Sequence, residues 1–279
     1  MVLEGLLTPR QLETRPEQMF LVAFFSSLLG ICSAYLLFPQ VASFFSLVVI
    51  TILTLPLMRR VFEIEEVWEE EAAMLHLPTV SLIRRHGLLI KLYLFLFLGV
   101  LFAFILTFIL LPKDMLPTFF KHQIDTIEGV RALVAGHAPG PSDVFLAILY
   151  NNLRVLLVIT SLSLLLGAGA ILEICWNASV LAVAIGNSFR KYLLAGFPWM
   201  HALPLSLGTY LLHGIIEMVA YFIGAIAGGI LSVVMIRYRF HRVRRGTLDV
   251  VLSDFLILLL ISIALLAIGA SVETMLLIR

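Results

Sequence analysis

Charge is what this chain has least of. Asp, Glu, Lys and Arg make up 13% of its 279 residues, while hydrophobic residues make up 61%. A soluble domain carries about 25% charged residues, so the shortfall argues against a soluble protein and predicts a polytopic membrane protein. The net charge of +1, without a Lys/Arg stripe between exposed aromatics, excludes a general affinity for nucleic acid. Cysteine is equally scarce. Cys32 and Cys175 both sit inside apolar runs and are expected to be packing residues, not a disulfide or redox pair. Clustered Cys/His spacing of the kind zinc needs is absent, as are His-Glu-x-x-His, Gly-x-Ser-x-Gly and phosphate-cradling glycine loops. No catalytic residue, metal ligand or cofactor is therefore expected. Residues 1–18 are polar and mixed in charge, with neither a positive n-region nor a small-residue cleavage site. No cleaved signal peptide is expected, and the first span is read as retained.

Long apolar runs take the place of what is missing, and the mean hydropathy is +1.06. Several runs reach the roughly 20 residues that cross the hydrocarbon. Spans are expected at about 19–38, 41–58, 88–111, 144–174, 207–235 and 250–271. Between the fourth and sixth, Gly186, Arg190-Lys191, Gly196-Phe197-Pro198 and Pro204 interrupt the pattern over 176–207. Orientation decides what that irregular stretch is. Lys and Arg concentrate in cytoplasmic loops, and the two clearest basic loops are Arg59–Lys91 and Arg237–Arg245. Placing both inside puts the N-terminus inside and 112–143 outside. The chain must then cross an odd number of times between 144 and 237, so a fifth span, short or broken, is expected within 176–200.

The predicted fold is thus an all-α polytopic bundle of about seven transmembrane helices, with its C-terminus outside. Its parts are a cytoplasmic segment 1–18 and a membrane unit 19–111, made of a hairpin, a cytoplasmic charged helix and the third span. An extracytoplasmic loop 112–143, a core membrane region 144–236, a basic cytoplasmic loop 237–249 and a last span within 250–279 follow. In 112–143, Gly136, Pro139, Gly140 and Pro141 mark the loop, and Ser142-Asp143 would cap the next helix. The acidic stretch Glu63–Glu71 with Trp68 is expected as a solvated or interfacial helix.

Embedded polar residues are the informative exceptions. Between 145 and 236 the only charged residues are Arg154, Glu173, Arg190, Lys191 and Glu217. His213 and Glu217, four apart in the sixth span, share a helical face with Tyr221, Gly224 and Gly228 close to the same stripe. Given the orientation, Arg154, Arg190, His213, Glu217 and Glu273 all fall in the outward half. The expected arrangement is a neutralised pair, Glu217–Arg154 or Glu217–Arg190, with Asn151, Asn152, Tyr210 and His213 as hydrogen-bonding neighbours. Asn177 and Ser179 would cap the fifth helix, beside Trp176 at the inner interface. Small-residue seams lie at Gly167-Ala168-Gly169-Ala170 and at Gly224-x-x-x-Gly228. They are expected to pack helices within the chain, a dimer contact being the alternative.

The runs Asn151-Asn152-Leu153-Arg154, Gly167-Ala168-Gly169-Ala170-Ile171, Trp176-Asn177-Ala178-Ser179-Val180 and Ala184-Ile185-Gly186-Asn187 resemble the stage II sporulation protein M family. So do His213-Gly214-Ile215-Ile216-Glu217 through Phe222 and Ala227-Gly228-Gly229-Ile230. The opening Met1-Val2-Leu3-Glu4, with Pro16 and Met19-Phe20, is similar to archaeal members. The resemblance implies a membrane subunit that scaffolds or localises partners, as the namesake does beside peptidoglycan-degrading enzymes during engulfment. Archaeal relatives occur in cells without murein, so the wall-related role does not carry over.

Two functions are carried forward. The first is a non-enzymatic scaffold or assembly subunit in the cytoplasmic membrane, recruiting membrane or cytoplasmic proteins through its charged loops, with self-association open. The second is a transporter or channel using the outward charges, and an intramembrane enzyme ranks below both. A water-filled, charge-lined cavity reaching the midplane between the fourth, fifth and sixth spans would favour transport. A filled core with Glu217 paired and dry would favour the scaffold.

Overall fold

A computed structural model describes residues 9–74, 86–136, 140–166, 169–239 and 247–277. Among them there is no strand. The helices are α1 (Pro9–Thr14), α2 (Gln18–Leu37), α3 (Ala42–Met74), α4 (Gly87–Leu110), α5 (Leu116–Gly136), α6 (Pro141–Leu166), α7 (Ala170–Leu194), α8 (Trp199–Arg239) and α9 (Thr247–Leu277). Seven of them, α2–α4 and α6–α9, contain segments long and apolar enough to cross a membrane. In lipid the backbone must satisfy its own hydrogen bonds, which is why apolar runs of this length resolve as helices.

The turns follow local chemistry. Pro39, at the start of a 3-10 turn over Pro39–Val41, separates α2 from α3. Pro56 is accommodated inside α3. Helix α6 ends at Leu166 and α7 starts at Ala170, so the boundary between them comes much earlier than expected. Glycine costs a helix about 1 kcal/mol relative to alanine, and Gly169 stands just before α7, in an apolar run that would otherwise have continued.

The fifth span is consequently neither short nor broken. It is a continuous helix of 25 residues, with Gly186 inside it. Its end lies at Gly196, whose φ is +89°. Phe197 N–H donates to Tyr192 O and Gly196 N–H to Leu193 O, and the Tyr192 and Phe197 rings meet at 5.5 Å. Those two bonds and that apolar contact define a Schellman terminator. The sequence Gly196-Phe197-Pro198 marks the end of α7, not an interruption of it.

Segment 112–143 is largely helical as well. Helix α5 is kinked at Phe120 (φ −132°, ψ 21°) and packs against α3 and α7. Phe120 is fully buried, with its ring 5.2 Å from that of Phe108 and 6.1 Å from that of Phe104. Gln123, also fully buried, accepts from Ser43 Oγ and donates to Ser179 Oγ at 3.2 Å. Lys121, Asp125, Glu128 and Arg131 occupy its exposed face. The glycines and prolines expected to mark a whole loop lie only at its C-terminal end.

Side-chain contacts fix how the spans run. Asn152 meets Glu217, and Ser163 Oγ donates to Ala225 O at 2.7 Å, so α6 and α8 run in the same direction. Ser188 lies against Tyr210 at 3.3 Å and Leu181 beside Gly214, so α7 runs opposite to α8. Helix α9 also runs opposite, pairing Leu258 with Ile223 and Ala227, and Val251 with Leu231 and Val234. At 1.5 Å per residue the 41 residues of α8 extend about 60 Å, twice the hydrocarbon thickness.

Candidate functional site

Helices α5, α6, α7, α8 and α9 surround a cavity of about 790 Å³. Its polar lining is supplied by Asn151 and Asn152 of α6, Asn177 of α7, Tyr210, His213, Glu217 and Tyr221 of α8, and Glu273 of α9. Arg131 of α5, an exposed residue, is the only Lys or Arg among the described lining residues.

Glu217 is 9% exposed and accepts a 2.7 Å hydrogen bond from Asn152 Nδ2. Asn151 Nδ2 lies 3.4 Å from Asn152 Oδ1. A glycine on the facing helix makes room for the carboxyl: a Cβ at Gly269 would stand 3.0 Å from Glu217 Cγ. One turn along α8, His213 Nε2 is 3.9 Å from Glu273 Oε1. His213 is also 9% exposed, and its Nδ1 has no hydrogen-bond partner.

The expected pairing of Glu217 with an arginine is not formed; among the described residues no ion pair joins it to Arg154 or Arg190. Residues two apart on a helix point some 200° apart. With Asn152 directed at Glu217, Arg154 faces outward, where it is exposed and lies 5.8 Å above the Tyr150 ring. Arg190 is committed elsewhere. Its Nη2 donates to Phe108 O at 2.7 Å, to Ile109 O at 3.1 Å and to Leu111 O. The last carbonyls of α4 lack partners within their own helix, and a cation there is doubly favoured by hydrogen bonding and by the helix dipole.

Asn177 and Ser179 are interior residues of α7, not caps. Asn177 Nδ2 donates to Glu173 O at 2.9 Å and lies 3.4 Å from Glu173 Oε1. Ser179 Oγ donates to Trp176 O and receives Gln123. Of the glycine seams, Gly167 lies outside the described residues. Gly169 belongs to the α6–α7 turn, where an added Cβ would stand 2.5 Å from Leu162 O. Gly224 and Gly228 face α6. A Cβ at Gly228 would come within 2.6 Å of Thr160 O, and one at Gly224 would strike Leu156 Cδ1. This seam draws α6 and α8 together beyond Glu217.

The structure adds groups that sequence reasoning did not assign to the site, namely Gly269 and the α5 wall. Gly269-Ala270, a small pair in an otherwise bulky apolar run, was the available signal for the first. The second had no comparable signal, because 112–143 reads as an extracytoplasmic loop.

Fold and site together define a seven-span helical membrane protein with an acidic cavity walled by five helices. The family model for stage II sporulation protein M matches residues 92–276, and the chain belongs to that family. No curated protein and no solved structure matches it.

Proposed function

We propose that this chain is a non-enzymatic solute carrier of the membrane, with the cavity between α5 and α9 as its binding chamber. The observation that carries this reading is a cavity of about 790 Å³ in which Glu217 is met by an amide, not by an arginine. A buried salt bridge would have locked the helices and filled the space. Intramembrane carboxyls left facing a cavity mark solute or ion paths. The volume suits an organic solute, since ligand pockets run from about 300 to 1,000 Å³. The reading rests on flux: purified protein in proteoliposomes should exchange a labelled solute, and Glu217→Gln should abolish exchange. Equal flux from parent and variant would overturn it.

A scaffold or assembly role is the second reading, and it has its own supporting observation. Helix α3 continues past its membrane span to Met74, carrying the acidic run Glu63–Glu71 on one unbroken helix. Such an extension, together with the basic stretch Arg237–Arg245, would recruit cytoplasmic or membrane partners. Affinity purification with the native neighbours tests it; a partner lost when 63–71 is neutralised supports it.

A further inference from the structure

We propose that the ligand of this cavity is an amphiphilic organic cation, an amine or guanidinium on an apolar body, with Glu217 as its counter-ion. The proposal deepens the solute-carrier reading and rests on it. Charge gives the first argument. Glu217 and Glu273 both line the cavity, on helices in direct contact. Among the described residues, no Lys or Arg forms an ion pair with either. Arg131, the lining cation, is exposed on α5. Carboxyls withdrawn from water either hold a proton or take a cation as partner, and none of the described Lys or Arg residues fills that place.

Unfinished hydrogen bonding is the second, independent argument. His213 is nine-tenths buried, and its Nδ1 is without a partner. Its Nε2 stands 3.9 Å from Glu273 Oε1, beyond hydrogen-bond range. Glu217 is held differently: Asn152 fixes one oxygen by a single bond, which orients the carboxyl and leaves acceptor capacity unused. The site therefore offers an oriented carboxyl with an unclosed imidazole–carboxyl pair one turn away. An ammonium or guanidinium supplies the donors these acceptors lack.

Shape selects an organic cation over a metal ion. Among the described residues no group of three or more His, Cys, Asp or Glu could hold a metal. The cavity is also far larger than an ion, and its polar groups are set among Val155, Val180, Leu181 and Met218. Tyr210 and Tyr221 also line it, and aromatic rings attract cations and pack against apolar bodies alike.

An isosteric charge series tests the proposal. Purified full-length protein in detergent is titrated with 2-phenylethylammonium, phenylguanidinium, 2-phenylethanol, phenylacetate and Mn²⁺, with binding read by calorimetry and thermal shift. Saturable binding of an organic cation is expected, with neither the neutral nor the anionic isostere competing. Glu217→Gln, which keeps the acceptor for Asn152 and removes the charge, should weaken that binding roughly tenfold or more, as expected when one member of a buried charge pair is lost. Glu273→Gln serves as the second variant, and elution volume with circular dichroism confirms that both are folded. Binding of phenylacetate or phenylethanol in preference to the cations overturns the proposal. So does binding of Mn²⁺ alone, or no binding at all. Cation binding without proteoliposome flux would sustain the ligand class and sink the carrier reading. Flux of an anion or neutral solute would do the reverse.

Discussion

Alanine substituted for glycine gives a graded test of how the spans touch, because the same added methyl group meets a different obstacle at each site. At Gly99 the new Cβ would stand 2.5 Å from Phe20 O, 2.7 Å from Ala23 Cβ and 2.9 Å from Phe24 N. At Gly228 it would meet Thr160 O at 2.6 Å and Ser163 Cβ at 2.9 Å. Both obstacles include backbone, which cannot move without separating two helices. At Gly224 the close contact is Leu156 Cδ1, the far end of a flexible side chain, and at Gly208 nothing lies within 4 Å. Alanine gains up to about 1 kcal/mol in helix propensity at every one of these sites. Overpacking against a rigid neighbour costs about 1–3 kcal/mol. The balance is a net loss of roughly 1–2 kcal/mol at Gly99 and Gly228, near neutrality at Gly224 and a gain at Gly208. At about 2–4 °C per kcal/mol for a chain of this order of size, Gly99→Ala and Gly228→Ala should each lower Tm by several degrees. Gly208→Ala should raise it slightly. Thermal melts in detergent, followed by far-ultraviolet circular dichroism, read the series. If Gly228→Ala melts at or above the parent, α6 and α8 do not approach as described. If Gly208→Ala falls as far as Gly99→Ala, the space at these sites does not decide the outcome.

Asn152→Ala removes the single hydrogen bond to the Glu217 carboxyl, and a buried acceptor left unsatisfied costs about 1–3 kcal/mol. Tm should fall accordingly, while Glu217→Gln alone, which keeps the acceptor, should cost much less; equal losses would refute the assignment. Arg190→Met strips the partners from the last carbonyls of α4, so hydrogen exchange at the α4–α5 junction should rise, with Arg190→Lys intermediate because one ammonium cannot reproduce the guanidinium fork. Gln123→Leu deletes the bonds to Ser43 and Ser179, and α5 amides should then exchange faster before the bundle as a whole does; unchanged α5 protection would show that Phe120 alone holds the helix. In a Cys32→Ala background, an impermeant thiol reagent added to intact cells should label Lys113→Cys and leave Arg242→Cys unlabelled. The opposite pattern would invert the proposed topology.

Much of the fold was legible because hydropathy and length decide most of what a chain can do in lipid. The parity argument from Arg59–Lys91 and Arg237–Arg245 required a fifth crossing in a stretch whose composition discouraged one, and a helix stands there. Its boundaries were harder to see. Gly167-Ala168-Gly169 reads equally well as a packing seam or as a turn, since small residues serve both purposes. Gly186 reads as a breaker until Phe108 is seen against it, where an added Cβ would stand 2.5 Å from the ring. The partner of Glu217 was partly legible. Once Asn152 is taken to face inward, helical geometry turns Arg154 away, and this follows from spacing alone. The commitment of Arg190 to α4 was not, because the acceptors are backbone carbonyls that any sequence would carry.

The extent of the family match bears on which elements form the site. It runs from residue 92, within α4, to residue 276, and therefore includes α5 to α8 and all but the last residue of α9, the five helices that wall the cavity. The α2–α3 hairpin falls outside it, yet contributes at two points. Helix α2 lies against α4 at Gly99, where the backbones are close enough to exclude any side chain. Ser43, at the start of α3, holds Gln123 of α5. The wall that carries Arg131 is thus tied to Ser179 inside the matched region and to Ser43 outside it. A change that loosens the hairpin should reach the cavity through α5 first, without disturbing Asn152, Glu217 or Gly269, which rest on α6, α8 and α9. The hairpin thus touches the cavity wall only through Ser43 and Gln123, while Asn152, Glu217 and Gly269 all lie within the matched region.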